Sequence, residues 1–334
     1  MRVFRSIIFT ESPLTKAFRY RDVFQLVPIS YSHNAPISFY TRHLPAFLEY
    51  VADDAEEILV CEDMLREKGV SEEVLQLGRK IPNQTRARKE ILHLLSSLTN
   101  FHFFEYGFGY DSWGIQAPMK NVDTLNPEEV ERLDNQTSQW TIRGYIYPKL
   151  AEDLKIAGFT TCKEYFTSFD EPVTYFTMNP NLYNNPEIKI PPYLDYVLDN
   201  YYSLKDNERV VVRQCIGLLF EGVELFDTKR SVSLLSIISS IEGMAKLDHG
   251  LNGNRPQLGP FQRFVNYLKT YVAGNSEEKY HNYYKKRCEI THEGALFLSD
   301  LDLYGDLKKQ DGDWYFRLEV LQAARLALYN WLRR

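Results

Sequence analysis

Cysteine is scarce in this chain: Cys61, Cys162, Cys215 and Cys288 are the only four in 334 residues, and no two form a CxxC pair. That spacing excludes a disulfide framework or a zinc knuckle and suits reduced, mostly buried thiols. Long apolar runs are absent as well. The longest uncharged stretch rich in apolar residues, Ile91 to Phe104, is broken by His, Ser, Thr and Asn, and at about fourteen residues it falls short of the roughly 18 that span a bilayer. No membrane partner is therefore expected. The N-terminus has two Arg, a broken apolar run and no small-residue cleavage site, so no secretory signal is read there and the expected location is the cytoplasm. There is no excess of positive charge either: 39 Lys and Arg stand against 45 Asp and Glu, a net charge of −6, which is not the overall footprint of a duplex-binding protein. Finally, there is no GxxxxGK[ST] loop, no GxGxxG after a strand, no HExxH and no GxSxG elbow, which removes the enzyme classes those motifs announce.

What is present is a packed, aromatic-rich globular chain, 44% hydrophobic and 14% aromatic. Its length exceeds what one core usually organises, so two domains are expected. Charge divides along the chain. Residues 1–207 carry 21 basic and 29 acidic side chains (−8), and residues 208–334 carry 18 and 16 (+2). The strongest break is Asn179 to Pro192, NPNLYNNPEIKIPP, with four prolines and four asparagines. It sets the expected domains at 1–190 and 191–334.

Before the break the pattern is α+β. A helical segment is expected at Thr85 to Leu98, with Ile91, Leu94, Leu95 and Leu98 on one face, and strand-like aromatic runs at Phe101 to Tyr110, Trp140 to Tyr147 and Tyr165 to Met178. After it, nearly every segment has helical period. The expectations are a short helix ending near Leu204, a central, almost all-apolar helix at Arg209 to Phe226, and amphipathic helices at Ser231 to Leu247 and Phe261 to Val272, the latter with Phe261, Phe264, Val265, Leu268, Tyr271 and Val272 on its apolar stripe. A helix from an N-cap at Ser276 to His292 follows, with Gly294 as its left-handed cap, then a last helix at Trp314 to Leu332. The fold class is therefore an α+β N-terminal domain followed by an all-α helical bundle.

The segment that carries chemistry is Tyr283 to Gly294, YYKKRCEITHEG, where Arg287 precedes His292 near a helix end. Composition alone yields about 0.4 such Arg/His pairs by chance. A second copy occurs at Arg88 and His93 (RKEILH), where Arg88 lies in the alternating-charge run RARKE and is read as solvated. Arg287 differs because it falls on the stripe of Tyr280, Tyr283 and Tyr284. A guanidinium turned towards packed surface needs an anion, whether a carboxylate such as Glu242 or a ligand phosphate. Structural readings stand beside this one: an Arg held on a carboxylate, a His favoured by the helix C-terminus, and Cys288 with His292 as a fragment of a metal site. No second Cys/His pair lies nearby, and no metal or other cofactor is expected.

Taken with Ser239-Ser240-Ile241-Glu242-Gly243 on an earlier helix, YKKRCEITHEG resembles the HEPN domain of the Apea-like kind found in prokaryotic defence proteins. The resemblance covers roughly Glu208 to Arg334. That family is marked by an Arg, four to six residues, then His, commonly followed by Gly. Here Gly294 stands one place later than usual, and Cys288 replaces the small polar residue that many active members carry after the Arg. The resemblance implies a metal-independent endoribonuclease, of the type used in phage defence and abortive infection, whose catalytic residues would be Arg287 and His292. Its site forms across a homodimer through the C-terminal bundle, with RNA as partner. Lys285 and Lys286 could hold flanking phosphates. The N-terminal domain is left as a region that senses a trigger or partner. A non-catalytic RNA- or nucleotide-binding module, or a dimerisation module, is the alternative. Residues five apart on a helix point about 140° from each other, so one chain makes a loose site and two a fuller one.

Overall fold

The computed structural model describes residues 2–29, 44–53, 62–105, 154–166, 171–177, 187–251, 257–272, 277–301 and 307–334. The strand-like runs expected at 106–110 and 140–147, the N-cap at Ser276 and most of the Asn179 to Pro192 break lie outside them. The chain forms two compact units. The first comprises residues 1–92, 103–167 and 183–188, and the second residues 93–102, 168–182 and 189–334.

The first unit is built on an antiparallel sheet of β1 (Arg2–Thr10), β2 (Phe18–Tyr20), β3 (Phe24–Pro28), β4 (Leu44–Ala52) and β5 (Phe103–Phe104), in the order β2-β3-β4-β1-β5. Among the described residues, the first four strands are followed by a short helix, α1 (Glu62–Glu67), and a long one, α2 (Glu72–Leu98). Nearly every residue of β4 is buried, as expected of a strand with hydrogen-bonded neighbours on both edges and both faces covered. One face carries a polar row. Gln25, Glu49 and Arg5 are register partners on β3, β4 and β1. The fully buried Glu49 accepts from Arg5 Nε at 3.0 Å, from the Thr160 hydroxyl at 2.6 Å and from the Thr160 N–H at 2.8 Å. A buried carboxylate is tolerable only when so fully bonded, and these bonds tie residues 154–166 to the sheet. On the other face Arg88 of α2 pairs with Glu105 and reaches the Tyr50 hydroxyl at 3.4 Å. Arg88 is thus part-buried and paired, not solvated: its charged neighbours in sequence hid a side chain that points at the sheet.

The second unit is helical, and with the sheet unit it gives the α+β-then-helical class expected. It contains α3 (Pro172–Thr177), α4 (Leu194–Tyr202), α5 (Asp206–Glu224), α6 (Arg230–Leu251), α7 (Pro260–Tyr271), α8 (Glu277–Glu293), α9 (Leu298–Leu301) and α10 (Leu307–Arg333). The end of α2 belongs here too, through the buried Arg325 of α10, whose Nη2 donates to the Ser96 carbonyl at 2.8 Å. α3 replaces a segment expected to be extended. Pro172 sits at its first position, where the missing N–H costs nothing, and Tyr175 and Phe176 are buried on one side. The central place falls to α6, which touches α5, α7, α8, α9 and α10 and buries Leu234, Ile237, Ile238, Ile241, Met244 and Ala245. α5 was the expected centre, but Val210 and Leu218 leave one side of it exposed.

Two glycines let α5 and α6 approach closely. A methyl group on Gly222 would fall 2.5 Å from Ile237 Cγ1 and 3.2 Å from the Ser233 carbonyl oxygen, and one on Gly243 would fall 2.5 Å from Cys215 Sγ. Alanine is favoured over glycine inside a helix by about 1 kcal/mol, yet overpacking here costs about 1–3 kcal/mol. Gly222→Ala is expected to destabilise the protein in urea melts, whereas Gly250→Ala, whose methyl meets nothing within 4 Å, should stabilise it slightly. Equal gains at both positions would contradict close helix approach.

Candidate functional site on helices α6 and α8

Helix α8 opens with Glu277 and Glu278, which suit the positive end of the helix dipole. It closes at Gly294, whose φ of 68° is the left-handed conformation expected there, with the Ala295 N–H donating back to the Glu289 carbonyl at 3.1 Å. Its buried face is Tyr280, Tyr283 and Ile290. The Tyr283 ring meets Phe316 edge-on at 5.6 Å, and burial, then Glu319, push its phenol pKa far up. This anchoring to α10 fixes how α8 is rotated and so where its other faces point.

The face turned towards α6 holds Tyr284 and Arg287. Arg287 Nη2 lies 3.5 Å from Glu242 Oε2, and both side chains are about a quarter exposed. The sequence placed Glu242 as a candidate partner, and the two are together. Glu242 is next to Gly243, so the helix that Gly243 seats against Cys215 of α5 presents its carboxylate about 100° further round. The Tyr284 phenol also stands beside Glu242. Burial raises the phenol's pKa first and the Glu242 charge raises it further, while Arg287 opposes both. The Arg287 guanidinium stands 5.8 Å from the Tyr284 ring centre. Sequence reasoning counted Tyr284 only as part of an apolar stripe. Its position one turn before Arg287, opposite the same carboxylate, was the signal that it has a polar role.

One ion pair at 3.5 Å uses little of a guanidinium that carries five N–H donors, and partial exposure leaves donors open to an incoming anion. His292 is exposed in the last turn, and among the described residues it has no hydrogen-bonding partner. It is not brought against Arg287 within one chain. Lys285 is three-quarters exposed and lies 3.8 Å from Glu289. Lys286 lies 3.3 Å from the same carboxylate and 5.1 Å from the centre of the Phe297 ring. The two lysines therefore share one counter-charge, and Lys286 folds back onto protein. Cys288 is a free, half-buried thiol. Among the described residues no three His, Cys, Asp or Glu side chains gather as metal ligands, and no helix is long and apolar enough to cross a membrane. No protein-family model, curated protein or solved structure matches this chain.

Proposed function

We propose that this protein is a cytoplasmic, metal-independent endoribonuclease of the HEPN kind, of a defence or toxin type, which acts as a homodimer through its helical unit and takes its trigger through the sheet unit. The observation that best supports the reading is the part-exposed Arg287, paired with Glu242 beside Tyr284, less than a turn and a half before His292, which has no hydrogen-bonding partner among the described residues. Leu296, Leu298 and Leu301, which follow His292 closely, are also exposed and offer apolar surface for a second copy. Two copies would set two Arg and two His around one cleft.

In such a cleft the Arg287 guanidiniums hold the non-bridging oxygens of one phosphate. One His292 takes the proton of the neighbouring 2′-hydroxyl as that oxygen bonds to phosphorus. The bond from phosphorus to the 5′-oxygen breaks, and the partner's His292 returns a proton to the leaving oxygen. The products are a 2′,3′-cyclic phosphate and a 5′-hydroxyl. Imidazole suits both proton transfers because it titrates near neutrality as a class, and Arg suits the charge that builds on the phosphate. Arg287→Ala tests the roles directly. It should remove RNA cleavage while costing less than about 1 kcal/mol of stability, as expected for a partly exposed ion pair.

Glu242 and Cys288 favour a second reading, a module that binds RNA or nucleotide, or dimerises, without cutting. Glu242 partly neutralises the arginine, and Cys288 departs from the motif's small polar residue. Under that reading RNA affinity falls with Arg287→Ala, but the wild type leaves RNA intact.

A further inference from the structure

Phe261 was expected in the buried stripe of α7. Instead Phe264, Val265, Tyr267 and Leu268 are buried, and Phe261 remains 36% exposed. It stands at the second position of α7, where its ring meets His281 edge-on at 4.8 Å and Tyr284 at 5.1 Å. Phe264 supports Tyr284 from below at 5.3 Å. The three surface rings form one cluster, and Tyr284 is the residue that also stands beside Arg287 and Glu242. On α8, His281, Tyr284 and Arg287 are spaced three apart, so the rings and the guanidinium follow one another along a single side, with His281 and Arg287 about 9 Å apart along the axis. Glu277 lies 3.8 Å from His281 but also pairs with Lys269 at 2.7 Å. That partner draws its pKa down and offsets its charge.

We propose that Phe261, His281 and Tyr284 form a base-stacking subsite that receives an unpaired nucleobase of single-stranded RNA, one or two nucleotides from the phosphate held by Arg287. This rests on the RNA-cleavage reading above. An exposed ring whose neighbours hold it at a fixed angle offers stacking surface at little cost in side-chain freedom, and every base has a flat face to lay on it. The imidazole of His281 adds a donor beside the ring for a base edge or the next phosphate.

The test measures fluorescence anisotropy of a labelled single-stranded oligoribonucleotide in the full-length His292→Ala protein, so that cleavage does not intervene. Phe261→Ala should weaken binding about tenfold, within the range for loss of one stacked base, and Phe261→Trp should restore it. Phe261→Leu, which keeps apolar packing, should behave like Phe261→Ala with an unchanged melting temperature. A set of oligonucleotides with single abasic sites should contain one whose binding no longer responds to Phe261→Ala. If Arg287→Ala weakens binding but the Phe261 variants do not, the subsite is overturned while the RNA reading stands. If the parent protein binds no RNA, both are overturned.

Discussion

His292→Ala and Arg287→Ala should each lower the rate of RNA cleavage by at least about a hundredfold, while the helical unit keeps its melting temperature. A positioned general base or acid contributes about 10²–10⁴-fold, and one donor aimed at developing charge contributes about 10²–10³-fold. His292 would supply the first effect twice in a dimer, as base from one copy and acid from the other. Neither substitution removes packing of consequence. His292 is exposed in the last helical turn, and Arg287 leaves behind a carboxylate that remains partly solvated. Cleavage assays on an unstructured RNA, beside thermal melts of the same preparations, check both halves. Retention of at least a tenth of wild-type activity by either variant would remove that residue from the chemistry, and an Arg287→Ala protein destabilised by about 3 kcal/mol, the scale of a broken buried pair, would assign Arg287 a structural role.

Asp248→Ala should cause the largest loss of stability. Asp248 is buried on α6, and its Oδ1 accepts from the Tyr271 hydroxyl of α7 at 2.8 Å, Trp331 Nε1 of α10 at 3.1 Å and Arg334 Nη1 at 2.7 Å. Arg334 also donates to the Tyr271 hydroxyl at 2.9 Å and lies 4.3 Å from the Trp331 ring centre. One carboxylate thus clasps three elements. Removing it strands a buried indole N–H and a phenol as well as a cation, a loss of about 3–5 kcal/mol, or roughly 10 °C in a unit of this size. Asp248→Asn keeps an acceptor oxygen and should lose less than half as much. Trp331→Phe, which removes one donor with its ring, should lose about as much as Asp248→Asn. Urea melts that place Asp248→Ala within 1 kcal/mol of wild type would show that the clasp contributes little. RNA affinity per folded molecule should not change, because this cluster uses no residue of the proposed site.

Helical period and capping chemistry made the second unit legible. Ile237, Ile241 and Met244 line up at a spacing only a helix uses, and Gly294 closes α8 where a left-handed residue was expected. The Arg287–Glu242 pair was legible for a related reason: a guanidinium on a packed face has to meet an anion, and few acids lie on the facing helix. What escaped the sequence depends on partners far along the chain. The Gln25–Glu49–Arg5 row exists only once three strands take their register and Thr160 closes over it. Arg88 looked solvated because its sequence neighbours are charged, and only the sheet with Glu105 reveals its part-buried pairing. Phe261 looked like core because helix period does not say where the neighbouring helix ends. The close approach at Gly222 and Gly243 depends on which helix lies opposite each glycine, and local patterns do not hold that information.

The measurement that bears most directly on the proposed function is incubation of purified wild-type protein with mixed RNA in excess EDTA, beside His292→Ala, followed by analysis of the fragment ends. Cleavage by the wild type alone, leaving 2′,3′-cyclic phosphate or 3′-phosphate ends, is the expected result. Intact RNA with both proteins, or equal cleavage by both, would contradict it.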